Sequence, residues 1–324
     1  MPELLTALDL ADEQMVARLK SEIERETSCR CLIDEMLAKH TSWRVGGPAR
    51  LYVYPFSGRA LAELIQFCNQ NRLAFFTIGY GTNLLVSDDG FPGCVIDLAE
   101  GAKEIQVNGE ELVAGGGAWL GEVVRIAAEN GLSGMEKLAG IPGGVGGGMS
   151  MNAGAFGMAI SDHLLEATVV DAAGEMITVP KQTIGFGYRS APGFLGRTIT
   201  GAKFILTKSS KRKVIREVEN TITDRFRRNV MTLPSAGSVF KNPTGGFSAK
   251  MVEAVGGKGL KEGGVEVSQL HANFIINSGS GTAQDIVRLI KRIRSLVHAQ
   301  FGVLLEMEVR TLGFSSDFLE QNQA

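Results

Sequence analysis

At 324 residues the chain has room for two or three domains, and with 44% hydrophobic and 21% charged residues it can bury a sizeable core. A formal net charge of −2 supplies no basic field, which argues against a nucleic-acid partner. Glycine is abundant, with 41 residues, so many positions call for unusual backbone geometry or close approach.

The N-terminus, MPELLTALDLADEQMVARLK, carries early acidic residues and no long apolar core, so it does not read as a signal peptide. Residues 3–38 read as one or two amphipathic helices, with Leu10, Met15, Leu19 and Ile23 at near-helical spacing, and residues 1–38 are taken as a helical extension. Cys29, Cys31, Cys68 and Cys94 form no C-x-x-C pair and have no histidine at metal-ligand spacing. Thiols in a reducing, cytoplasmic compartment and no metal are expected. ARLYVYP (49–55) reads as a strand, Ser57 as the cap of a helix with Leu61, Leu64, Ile65 and Cys68 on its apolar face, and LAFFTIG (73–79) and GCVIDL (93–98) as further strands. Residues 39–101 thus form a small unit in β-α-β-β order.

From 102 to 210 the texture becomes antiparallel. EIQVNGEELVAGGG reads as a hairpin with Asn108-Gly109 as a type I′ turn, and residues 119–131 as a helix stopped by Gly131. Residues 166–180 read as a second hairpin and 196–206 as a strand. A third unit spans 211–315, before a tail at 316–324. It opens with the charged helix KRKVIREVENTITDRFRRN; the basic run Lys208 to Lys213 reads as a solvated loop and the start of that helix. Residues 281–302 form a second helix with Thr282 and Asp285 as a capping box, Ile286, Leu289, Ile290, Ile293, Leu296 and Val297 as core face, and Gly302 as stop. VLLEMEVRTLG reads as a closing strand. No run of about eighteen apolar residues is present, so no membrane partner is expected.

Two glycine-rich stretches invite chemistry. GIPGGVGGGMSMNAGAFG (140–157) holds eight glycines and no charge, yet spaces Ile141, Val145, Met149 and Phe156 through its length. That pattern suits a loop that packs on the protein while bringing bare backbone to a ligand, with a flexible linker as the bland alternative. GYGTNLL (79–85) follows a strand and reads equally well as a tight turn. Neither string is G-x-G-x-x-G, and no Walker A motif occurs, so a Rossmann site and a P-loop are unsupported. In VLLEMEVRTLG, alternation puts Glu306, Glu308 and Arg310 on one face: either a solvated edge or a cleft for an anionic substrate. In SAGSVFKNP, Ser238, Phe240 and Asn242 share a face if the segment is extended, and GFGYRS sets Arg189 beside an aromatic ring.

HTSWRVGGPA, GYGTNLL, GIPGGVGGGMSMNAGAFG, GYRS, PSAGSVFKNP, LHANFIIN and LEMEVR occur in this order across residues 40–313. This series resembles the UDP-N-acetylenolpyruvoylglucosamine reductase family. The resemblance implies an α+β fold, with a two-subdomain FAD-binding module of the vanillyl-alcohol-oxidase type and a C-terminal α+β substrate-binding domain. It implies FAD, NADPH as co-substrate, and reduction of the enolpyruvyl ether of UDP-N-acetylglucosamine to UDP-N-acetylmuramate in peptidoglycan precursor synthesis. The short span between Arg189 and Lys211 matches the subclass without an extra substrate loop. With no His or Cys in either glycine loop, the flavin is expected to be non-covalent. The resemblance implies FAD contacts at Gly79, Tyr80, Gly81, Thr82, Asn83 and Leu84, and at Gly140, Gly143, Gly144, Gly146, Gly147, Asn152, Ala153 and Gly154. Its catalytic residues fall on Arg189, Ser238 and Glu308, and its substrate contacts on Asn242, His271 and Arg310. Met231 stands where the family carries a polar substrate contact, and alternation points Lys241 away from Ser238. A monomer acting on a small molecule is expected. Two rivals stay open: a flavin oxidase of the same superfamily, and a non-catalytic sugar-nucleotide-binding paralogue.

Overall fold

The computed structural model of the protein describes residue 10 and residues 12–228 and 233–315. The described residues fall into two compact units. The first draws on residues up to Glu35, on Arg50–Gly79 and on Pro92–Asp224; the second draws on Met36–Ala49, Tyr80–Phe91 and Arg225 onward. This division differs from the contiguous domains expected. Residues 36–49 and 80–91 join the C-terminal part because Trp43, Val45 and Leu85 are buried in its core.

In the first unit, helix Glu13–Glu26 starts where the Asp12 carboxylate accepts the Gln14 N–H and buries Val16, Leu19 and Ile23. It stops at Thr27, whose N–H and hydroxyl both donate to the Ile23 carbonyl, at 3.0 and 2.7 Å. The helical reading of residues 3–38 fails beyond this point: Cys29–Met36 is a strand. Buried Cys29 and Cys31 flank exposed Arg30, a period of two, and the segment pairs at the edge of a four-stranded sheet. That sheet runs Cys29–Met36, Pro48–Pro55, Phe91–Asp97, Phe75–Ile78, with the last two parallel. Helix Gly58–Gln70, capped by Ser57 as expected, buries Leu61, Leu64, Ile65 and Cys68 against the sheet's Leu51, Val53 and Ile96.

A five-stranded antiparallel sheet completes this unit, in the order Met176–Pro180, Leu164–Val170, Thr198–Ile205, Glu111–Gly115, Ile105–Asn108. Asn108 pairs with Glu111, so the hairpin loop is Gly109-Glu110 and only Gly109 takes a positive φ, 65°. Glycine at the first loop position is the type II′ pattern, which replaces the type I′ turn expected. Helix Leu120–Glu129 ends before Gly131 at φ 67°, and the short helix Val145–Ser150 lies on strand Thr198–Ile205.

In the second unit, Leu84–Val86 pairs in parallel with Arg310–Leu312, and Lys261–Glu262, Val265–Val267 and Ile275–Asn277 form an antiparallel sheet. Helix Ala283–Phe301 carries the expected capping box and stops at Gly302, φ 65°. Asp88 adds a second cap, accepting the Ala283 and Gln284 N–H groups at 2.8 and 2.9 Å, a carboxylate at the positive end of the helix. The core face departs from the expected one at Leu296, which is 37% exposed; Val287 and Arg294 are buried instead. The closing strand is also shorter. Met307 bridges to Phe240, the chain bends at Val309, and regular pairing resumes only at Arg310. One alternation therefore does not run from Glu306 to Arg310. Among the described residues, no helix is long and apolar enough to cross a membrane.

Candidate active site

The glycine-rich stretch of the first unit is neither a linker nor a plain turn. Its helix Val145–Ser150 is laid down by Val145 N–H donating to the Ala118 carbonyl and Gly146 N–H to that of Gly116, at 2.9 and 2.8 Å. Both donors are thus committed to the protein, including that of Gly146, which was expected to face a cofactor. The glycines divide by what a side chain would meet. A Cβ on Gly146 would lie 3.1 Å from the Ile199 carbonyl and 3.2 Å from that of Gly116, and one on Gly154 2.4 Å from that of Met158. Those glycines serve packing. Among the described residues, a Cβ on Gly147 or on Gly79 would meet no atom within 4 Å beyond the adjoining chain and, for Gly147, its own helix backbone. Glycine inside a helix costs about 0.5–1 kcal/mol relative to alanine, and packing does not explain that cost at Gly147. A bare, open backbone face is what close approach of a flat or phosphorylated cofactor requires, so the residues present fit FAD. Gly140 and Gly143, at φ 74° and 119°, supply backbone turns that other residues adopt with strain. Gly144 caps the helix and Ala153 N–H bonds to the Gly148 carbonyl at 2.7 Å.

The segments that carry Asn152 and Arg189 are joined by hydrogen bonds in this unit. Asn152 is 9% exposed at φ 43°, and its Nδ2 donates to the Gly187 carbonyl at 2.9 Å. Arg189, half-buried at φ 52°, donates from Nη2 to the Gly154 carbonyl at 3.2 Å, and its guanidinium carbon lies 5.3 Å from the Tyr188 ring centre.

In the second unit, the Tyr80–Leu84 segment is drawn in tightly. A Cβ on Gly81, φ 58°, would lie 2.0 Å from the His40 carbonyl, and Leu84 is buried in its strand. Asn83 Nδ2 donates to the Glu308 carbonyl at 3.2 Å, and the Asn83 carbonyl accepts the Arg310 N–H at 3.1 Å. The Ser238–Asn242 segment runs antiparallel to Glu306–Glu308: Glu308 N–H donates to the Val239 carbonyl and Lys241 N–H to that of Glu306, both at 2.8 Å. Ser238 and Glu308 therefore sit on adjoining segments. The Lys241 ammonium pairs with the Glu306 carboxylate. Asn242 Oδ1 accepts both the N–H and the hydroxyl of Ser248 at 3.1 Å, starting helix Ser248–Ala254. His271 Nδ1 accepts the Asn273 N–H at 3.3 Å, and its ring meets Phe274 edge-on at 4.8 Å. Burial, and then the charge of Lys258, lower the His271 pKa from its ordinary value. Met231 lies outside the described residues.

Asn273 was not singled out from the sequence, yet it organises this region. It is 4% exposed; its Oδ1 accepts the Phe240 N–H at 2.9 Å, and its Nδ2 donates to the Phe240 carbonyl and Ser248 Oγ at 2.8 and 2.9 Å. The available signal was an asparagine inside the apolar run ANFII, since a buried amide must be paired.

A family model described as the C-terminal domain of UDP-N-acetylenolpyruvoylglucosamine reductase matches residues 229–312, and one described as an FAD binding domain matches 49–180. The UDP-N-acetylenolpyruvoylglucosamine reductase of Carboxydothermus hydrogenoformans is 38% identical over 304 residues, covering 92% of this chain and 99% of that protein. That of Clostridium beijerinckii is 39% identical over 282 residues, covering 87% and 92%. The crystal structure of the Thermus caldophilus enzyme superposes with a TM-score of 0.75 at 30% identity, covering 88% of this chain and 98% of that one. These likenesses bear out the expected α+β fold with an FAD-binding module and a separate C-terminal domain. The chain belongs to the UDP-N-acetylenolpyruvoylglucosamine reductase family of FAD-binding oxidoreductases.

Proposed function

We infer that the chain catalyses the NADPH-dependent reduction of UDP-N-acetylglucosamine enolpyruvate to UDP-N-acetylmuramate, a step of peptidoglycan precursor synthesis. The observation that carries this reading is the pairing of GSVFKN with LEMEVR through Val239 and Glu308, which sets Ser238 and a carboxylate on adjoining segments. An oxidase acting on an alcohol or lactone has no use for such a proton-donating hydroxyl.

The chemistry that FAD supplies when bound is hydride transfer, with NADPH as the electron source. The chain's residues manage charge and protons. Arg189, in the first unit, holds the substrate carboxylate and the negative charge that develops next to it; a preorganised donor of this kind is worth about 2.7–4 kcal/mol. Ser238, in the second unit, gives its hydroxyl proton to the substrate carbon beside the carboxylate. Serine is a weak acid, but the acceptor is strongly basic and the donor needs chiefly position. Glu308 sets the hydrogen-bonding environment of that hydroxyl. Asn242, whose Oδ1 is taken by Ser248, turns its amide N–H groups to the sugar nucleotide, with His271 and Arg310 as further donors.

The test follows the flavin absorbance under anaerobic rapid mixing. NADPH bleaches the band and UDP-N-acetylglucosamine enolpyruvate restores it; recovery on air alone identifies an oxidase, and no bleaching identifies a binding protein. Ser238→Ala slows the recovery step about 10²–10⁴-fold, the usual worth of a positioned acid, and the bleaching step far less. Equal slowing of both steps removes Ser238 from the proton-donor role.

A further inference from the structure

The geometry points to Asn152 as a positioning residue that holds Arg189 in its working orientation through the Gly187–Ser190 turn. This rests on the reductase reading, in which Arg189 carries the developing charge.

The turn is closed by Ser190 N–H donating to the Gly187 carbonyl at 3.3 Å and by Gly187 N–H donating to the Ser190 carbonyl at 2.9 Å. Within it only Arg189, the third residue, has a positive φ, 52°. That is the type II pattern, whose third position favours glycine or asparagine. An arginine there is strained, and strained backbone persists where its surroundings over-determine it.

Two bonds do so. Asn152 Nδ2 donates to the same Gly187 carbonyl that closes the turn, at 2.9 Å. Arg189 Nη2 donates to the carbonyl of Gly154, two residues beyond Asn152, at 3.2 Å. The turn that carries the arginine and the guanidinium itself are thus both tied to one short segment. That segment is itself fixed. Asn152 is buried, its N–H donates to the Met149 carbonyl at 3.1 Å, and its Oδ1 accepts the Ser161 N–H at 3.4 Å.

Asparagine suits the place on three counts. It tolerates the left-handed backbone, it accepts from Ser161, and it donates to Gly187. Aspartate keeps the shape and the acceptor but faces the Gly187 carbonyl with a second oxygen. Glycine keeps the backbone and loses both bonds, so it serves as the variant least liable to misfold.

Two measurements on the flavin-loaded full chain decide the matter. The first is hydrogen–deuterium exchange of the peptide spanning Gly187–Ser190, expected to be faster in Asn152→Asp and Asn152→Gly than in the parent. Unchanged exchange overturns the inference, whatever the reaction proves to be. The second is a double-mutant cycle read on reoxidation of NADPH-reduced enzyme by UDP-N-acetylglucosamine enolpyruvate. Either Asn152 variant slows this step by about 10–10²-fold, the scale expected of a misplaced catalytic group, but adds nothing further in an Arg189→Ala background. Slowing that multiplies with Arg189→Ala shows that Asn152 acts by another route and overturns the inference. If the parent enzyme is not reoxidised by this substrate, the proposed function falls, and the exchange result alone decides whether Asn152 holds the turn.

Discussion

The bond from the Asn273 N–H to His271 Nδ1 requires that nitrogen to be unprotonated. The ring is thereby held neutral, with its proton on Nε2, the form required by the donor role proposed for it. Burial comes first in lowering its pKa and the Lys258 charge second. The folded-state value lies below the unfolded one, near 6.5, so the imidazole contributes its stability above about pH 6.5 and loses it as the pH falls through the lowered value. The Cε1 proton shift of His271 is therefore expected to titrate below 6.5 in the folded protein, and a midpoint at or above that value contradicts the assignment.

The helix Val145–Ser150 is the element on which cofactor access and packing can be separated. Gly146 and Gly147 are neighbours in sequence with opposite surroundings: two backbone carbonyls close to one, open space at the other. Gly147→Val is expected to give a colourless protein that still folds, its flavin-free stability within about 1 kcal/mol of the parent, because helix propensity is the main term left. Gly146→Val, by contrast, forces a side chain onto the Ile199 and Gly116 carbonyls and lowers the melting temperature of the flavin-free protein well below both. Calorimetry of flavin-stripped samples, beside the flavin spectrum of the purified proteins, checks the pair. A Gly147→Val protein that keeps its full complement of flavin shows that this face does not approach the cofactor.

At the scale of the whole molecule, the four cysteines report on the integrity of the first unit. Cys29, Cys31, Cys68 and Cys94 are all free and buried in the core between helices Glu13–Glu26 and Gly58–Gln70 and their sheet. Burial is the leading cause that pushes the Cys29 thiol up to about 11 and the Cys31 thiol up to about 12. Cys94 is raised by its hydrogen bond with Cys68, then by burial. The thiolate is the reactive form. A disulfide reagent at neutral pH is therefore expected to find no fast-reacting thiol in the native protein and four in denaturant. A rapidly modified cysteine under native conditions shows that this core opens locally.

Much of the secondary structure was legible because its causes are local. The Ser57 cap, the Thr282–Asp285 capping box, the stops at Gly131 and Gly302 and the 166–180 hairpin each depend on residues within one turn or hairpin of each other. The site residues were legible in another way, through the order of short strings that resemble one family, since a lone serine or arginine carries no chemistry by itself. The tertiary structure decided the rest. Cys29–Met36 became a strand because a sheet edge was there to pair it, and Leu296 is left exposed while Val287 and Arg294 on the same helix are buried. Residues 80–91 joined the C-terminal unit through the ladder of Leu84–Val86 with Arg310–Leu312, and the hydrogen bonds of Asn273 to Phe240 and of Asn152 to Gly187 span 33 and 35 residues. Local propensity contains none of these terms. Ladder bonds and buried amide pairs between distant segments gain their energy only once the chain has folded and brought those segments into contact.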